Sequence, residues 1–104
     1  SGLFTDRSRE LREAMEYVSS VDKIKNQTIR VDKSGIDNSE TGSKIIKISL
    51  LTPNLGKAVK NIGDLNQKEL VWSAESKEKL EKNNFYTIIY EHEKLNPWKL
   101  IKKN

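Results

Sequence analysis

Few side chains in this sequence have the type and spacing that chemistry needs. His92 is the only histidine and sits between two carboxylates, as Glu91-His92-Glu93. On an extended chain Glu91 and Glu93 point one way and His92 the other, so the three cannot jointly hold a metal. A histidine acting as general base also needs a nucleophile or a second acid, and no local motif nominates one. There is no phosphate-cradling glycine loop, dinucleotide fingerprint, nucleophile elbow or zinc spacing. The absence of cysteine excludes disulfides, thiol nucleophiles and thiolate metal sites. His92 therefore reads as an ordinary surface residue. No catalytic residue, cofactor or metal is assigned, and the chain reads as non-enzymatic.

Binding chemistry is better represented. Five of the seven aromatic residues, Trp72, Phe85, Tyr86, Tyr90 and Trp98, fall in the last third, among lysines that end in Lys99, Lys102 and Lys103. Exposed on a sheet, Tyr86, Tyr90 and Trp98 could stack bases while Lys94, Lys99, Lys102 and Lys103 hold phosphates. Glu69, Glu75, Glu78, Glu81, Glu91 and Glu93 oppose that by repelling phosphate. Aromatic rings also dominate cores, so most of the cluster is expected to close the fold through Trp72, Phe85, Ile89, Trp98 and Leu100. A second candidate surface is the polar stretch from Asp32 to Ser43, whose Lys33, Asp37 and Asn38 could meet a partner on a loop tip. The partner-binding candidates are thus Lys33, Asp37, Asn38, Tyr86, Tyr90, Trp98, Lys99 and Lys102. Asn26-Gln27-Thr28 matches the N-glycosylation pattern, a three-residue match common by chance.

Charge narrows the partner only slightly. The net charge of +4 comes from 19 basic and 15 acidic residues, with lysine far outnumbering arginine. An excess of that size forms no nucleic-acid stripe, and arginine is the residue that bidentate phosphate recognition prefers. With 35% hydrophobic and 33% charged residues, the chain has a modest core under a heavily charged surface, short of disorder. No stretch approaches the roughly 20 apolar residues of a membrane span.

The elements that must position these residues are read from periodicity. Leu11, Ala14, Met15 and Val18 stand at helical spacing in an amphipathic helix from Asp6 to Ser20. Thr28 to Val31 reads as a strand, Asp32 to Ser43 as a long hairpin tip, and Lys44 to Leu50 as the returning strand with Ile46, Ile48 and Leu50 on one face. Leu55, Ala58, Val59 and Ile62 predict a short helix closed by Gly63. Residues 67–83 fit either a strand followed by a short helix or one long helix, and Val71-Trp72 favours the first. Phe85 to His92 is apolar on both faces and reads as the central strand, with Trp98 to Ile101 returning antiparallel beside it.

These elements predict an α+β domain spanning residues 1–104, with the first helix packed on a curved antiparallel sheet of four or five strands. A small oligonucleotide-binding barrel can be drawn from the same strands, and a winged helix from the long-helix alternative. The expected function is a non-enzymatic binding module with a protein partner; a small nucleic-acid binder is the alternative. The start at Ser-Gly-Leu and the lack of cysteine lean towards a piece of a longer or processed protein, exported or in the envelope of a bacterium.

Overall fold

The computed structural model describes residues 26–37, 39–52, 54–82 and 84–104, together with Arg9, Arg12, Glu13 and Glu16. Those last four residues are helical and exposed, at the spacing of one helix face. The rest of the helix expected from Asp6 to Ser20, and its packing, lies outside the described residues.

The chain forms β1 (Ile29–Asp32), α1 (Lys33–Ile36), α2 (Ser39–Leu51), β2 (Leu55–Val59), β3 (Leu70–Ser73), α3 (Lys77–Glu81), β4 (Tyr86–Tyr90) and β5 (Lys99–Lys103). One-turn 3-10 segments at Ile62–Asp64 and Glu93–Leu95 join β2 to β3 and β4 to β5. The class is α+β, with one five-stranded sheet in the order β2-β1-β3-β5-β4. β1 runs parallel to β2 and β3, while β5 runs antiparallel to β3 and β4. The sheet is therefore mixed, not purely antiparallel, and it is open, so the barrel is excluded. Among the described residues no helix is long and apolar enough to cross a membrane.

The expected first hairpin is replaced by a β-α-β crossover. Lys44 to Leu50 belongs to α2, and the polar stretch before it is α1 and the first turns of α2. The apolar run Ile45-Ile46-Lys47-Ile48-Ser49-Leu50 satisfies both period 2 and period 3.6, which is how the strand reading arose. Tertiary context selects the helix, because parallel strands β1 and β2 cannot be joined by a tight hairpin. Ile45 and Ile48, three apart, are buried, while Ile46 and Leu50 are left exposed on the outer face. Leu55 to Val59, expected as a helix, is the strand to which this crossover returns.

The centre of the sheet is β3, whose Leu70-Val71-Trp72-Ser73 is buried on both faces. Phe85 to His92, expected to be central, holds instead the edge strand β4, with side chains that are partly buried or exposed. Its apolar character comes from leaning on two layers. Tyr86 and Ile88 pack with Val59, Leu65, Val71, Leu80 and Ile101 on the α3 side. A β-bulge between Ile88 and Tyr90 then swings Ile89 and Tyr90 onto the α2 side. Strand followed by short helix at residues 67–83 is as expected, as is the antiparallel return of β5.

Trp72 and Trp98 lie fully buried on the α2 side with Ile29, Val31, Ile45, Ile48, Leu70, Leu95 and Leu100. Their indole N–H groups fasten opposite ends of α2. Trp98 Nε1 donates to the Thr41 carbonyl at 3.0 Å, and Trp72 Nε1 donates to Thr52 Oγ1 at 3.1 Å. Gly35 lies against the Trp98 ring, where any Cβ would collide, so the close approach requires glycine.

Candidate functional site

Among the described residues, two regions concentrate polar or exposed aromatic side chains, one at each end of the strands. The first is at the carboxyl ends of β1 and β3. There β1 leaves to α1 and α2 on one face of the sheet, whereas β3 leaves to α3 on the other. Such a reversal is where open α/β sheets commonly bind ligands. Asp32, Ser73 and Lys99 lie in one row across β1, β3 and β5.

Each member of that row is already engaged. Asp32 Oδ1 accepts from the Ser34 backbone N–H at 3.1 Å and from Ser34 Oγ at 2.8 Å, capping α1. Asp32 Oδ2 accepts from Ser73 Oγ at 3.0 Å, and Ser73 Oγ accepts from the Glu75 N–H at 3.1 Å. The Lys99 ammonium donates to the carbonyls of Glu75 at 3.0 Å and Pro97 at 2.9 Å. Asp32, Ser73 and Lys99 are 3%, 0% and 8% exposed, so the row is closed to a ligand. Buried polar groups with all partners supplied stiffen the local structure. This row ties three strands, α1 and the loop into α3 together.

His92 is likewise spent on the backbone. Its Nδ1 accepts from the Lys94 N–H at 3.1 Å and so caps the 3-10 turn at Glu93–Leu95, which drives Leu95 into the core. That turn, with the cis Asn96–Pro97 bond, feeds Trp98 and β5.

The second region is the opposite end of the sheet, where β4 begins and β5 finishes. Asn84 has a φ of 56°, in the left-handed region that asparagine tolerates, and it turns the chain into β4. The register places Tyr86 beside Lys103, whose ammonium lies 4.9 Å from the Tyr86 ring centroid and 5.2 Å from that of Phe85. At these distances the cation is attracted to both ring faces. Phe85, expected in the core, is 55% exposed. Lys68, exposed, donates its backbone N–H to Lys103 O, so its main chain abuts the corner.

The expected binding residues do not assemble into one surface. Trp98 and Lys99 are buried and offer nothing to a partner, because the ring seals α2 and the ammonium serves two carbonyls. Tyr86 and Tyr90 lie on different faces because the bulge intervenes. Lys102 is directed to the α2 side, next to Thr87, whereas Lys103 is on the Tyr86 side. Lys33 and Asp37 are exposed on or beside α1, at the far end from Phe85, and Asn38 lies outside the described residues. Phe85, assigned to the core in the sequence, and Lys103, named there among the phosphate-holding lysines, bring the aromatic and the charge together. The available signal was the Asn84 turn, which releases Phe85 from the strand's alternation.

The two edges of the sheet differ in chemistry. β2, Leu55-Gly56-Lys57-Ala58-Val59, carries the exposed Lys57 and is followed by exposed Lys60. β4, Tyr86-Thr87-Ile88-Ile89-Tyr90, carries no charge. Charged residues on an edge strand discourage pairing with another chain, and an uncharged, β-branched edge invites it. Comparison with models of protein families, with curated proteins and with solved structures finds no match to this chain.

Proposed function

We propose that this chain is a non-enzymatic binding domain that takes up an extended segment of a protein partner as an added strand beside β4. The observation that carries the reading is the contrast between the two edges: lysine guards β2, whereas β4 is bare of charge and opens on the exposed Phe85. In strand addition the backbone supplies the affinity and alternate side chains supply the selectivity. Here Tyr86 and Ile88 would meet one row of the incoming side chains, and Thr87 the other. The non-enzymatic part rests on the commitment of His92, Asp32, Ser73 and Lys99 to backbone and capping contacts.

The test is a random peptide library displayed on phage and panned on the domain. Enriched peptides should read as short alternating strands, and their binding should fall at least about tenfold in Phe85→Ala and in Thr87→Lys. No enrichment, or peptides indifferent to both variants, would refute the proposal. One observation favours a second reading, single-stranded nucleic acid: the Lys103 ammonium beside two rings. Fluorescence anisotropy with an unstructured oligonucleotide at low salt decides this. Binding that weakens steeply with salt and vanishes in Phe85→Ala supports it, and absence of binding removes it.

A further inference from the structure

The backbone of β4 specifies which of its groups are on offer. Lys103 turns both its backbone groups towards β3, accepting from the Lys68 N–H at 2.6 Å and donating to Glu69 O at 3.0 Å. Asn104 donates its N–H to Phe85 O at 2.8 Å. Backbone groups alternate in direction along an antiparallel ladder, so Lys102 faces β4 and its register partner Thr87 faces β5. The N–H and C=O of Tyr86 and Ile88 therefore point away from β5, beyond the last strand among the described residues.

From this, and resting on the strand-addition reading, we infer that the strand β4 accepts is β4 of a second copy of this chain, running antiparallel about a two-fold axis at Thr87. Rotation about Thr87 sets Tyr86 against Ile88 of the other copy and Ile88 against Tyr86, so each outward pair closes two backbone hydrogen bonds. Thr87 then faces Thr87 as the closely spaced, non-hydrogen-bonded pair, each hydroxyl donating to Asn104 Oδ1 of its own chain at 2.6 Å. The Tyr–Ile pairs lie together on the α3 side of the joined sheets. No residue from Phe85 to Tyr90 is charged, so the copies meet without like-charge contact at the seam. On β2 the same operation would bring Lys57 close to its own copy.

The test uses the whole chain and exploits its lack of cysteine. Sedimentation velocity from micromolar to millimolar concentration should show a monomer–dimer equilibrium. Thr87→Lys, which sets two ammonium groups face to face, should weaken the dimer at least about tenfold. Thr87→Cys should cross-link with oxidised glutathione, because non-hydrogen-bonded pairs bring Cα atoms to about 4.5 Å, within disulfide reach. Lys57→Cys, on the guarded edge, should not. Hydrogen exchange at the Tyr86 and Ile88 amides should slow as concentration rises. A chain that stays monomeric, a dimer indifferent to Thr87→Lys, or cross-linking as fast through Lys57→Cys would each overturn the inference. If the chain stays monomeric while displayed peptides still lose binding in Thr87→Lys, self-pairing is wrong and strand addition stands. If the peptides ignore Thr87→Lys, strand addition at β4 itself is wrong.

Discussion

Among the described residues, the carboxyl-end row and the β4 edge both depart from a plain apolar core under charged skin, and they do so in opposite ways. Asp32, Ser73 and Lys99 are buried polar groups whose partners come from within the chain. β4 presents apolar and aromatic side chains at the rim of the sheet, with the Tyr86 and Ile88 backbone groups directed outward. A polar cluster at a topological switch point has the position of a binding site but lacks the openings of one. An edge strand without charge has the openings and lacks the polar cluster. Position in the fold nominates the first region, and unmet bonding capacity nominates the second. For the proposed strand addition the second criterion is the physical one, since affinity comes from groups that gain partners on binding.

Substitutions should separate the two regions by readout, folding on one side and association on the other. The largest effect is expected from Trp98→Ala, which empties a fully buried site and abandons the Thr41 carbonyl, at a cost of about 4 kcal/mol in urea unfolding. Asp32→Ala should cost about 2 kcal/mol in the same assay, because the Ser73 hydroxyl loses its acceptor in a buried place and the Ser34 N–H loses its cap in a part-buried one. If Asp32→Ala proves neutral, the row is not the brace described here. Gly35→Ala forces a methyl into the Trp98 ring, and a loss of about 2 kcal/mol should appear as a lowered thermal midpoint. Phe85→Ala sits at the other extreme: stability should move by less than about 0.5 kcal/mol while peptide binding or association is lost. A Phe85→Ala variant that unfolds readily would show that the ring belongs to the core after all and erase the contrast.

Much of the layout around the centre was legible in the sequence. The strand at Ile29 to Val31, the strand and short helix within residues 67–83, the return of β5 and the burial of Trp72 were all expected on periodicity and propensity. The errors share one cause, the reading of a local pattern that two geometries satisfy. Leu55, Ala58, Val59 and Ile62 stand at helical spacing, yet Val59 is buried while Ala58 is exposed, as a strand end on one face requires. Lys44 to Leu50 alternates like a strand, yet Ile45 and Ile48 are the buried pair. Of the candidate site, Tyr86 was foreseen, but Phe85 was assigned to the core, Lys99 to a binding surface, and Trp98 to both. Their true places depend on which strand is last in the sheet, and that is a relation between segments far apart in the chain.

By composition and pattern alone, this sequence determined an α+β class, a tryptophan-bearing core and the absence of the local motifs that announce common catalytic sites. Those properties follow from residue type and short-range spacing, so they survive any topology. Tertiary structure alone decided that β1 and β2 are parallel, that α2 must therefore cross between them, and that the most apolar strand is an edge. Apolar residues lower the free energy wherever they find cover, and one buried face is enough. A strand supported on both sides by α3, Leu95 and Trp98 thus reads like a central one while its outer backbone still faces outward.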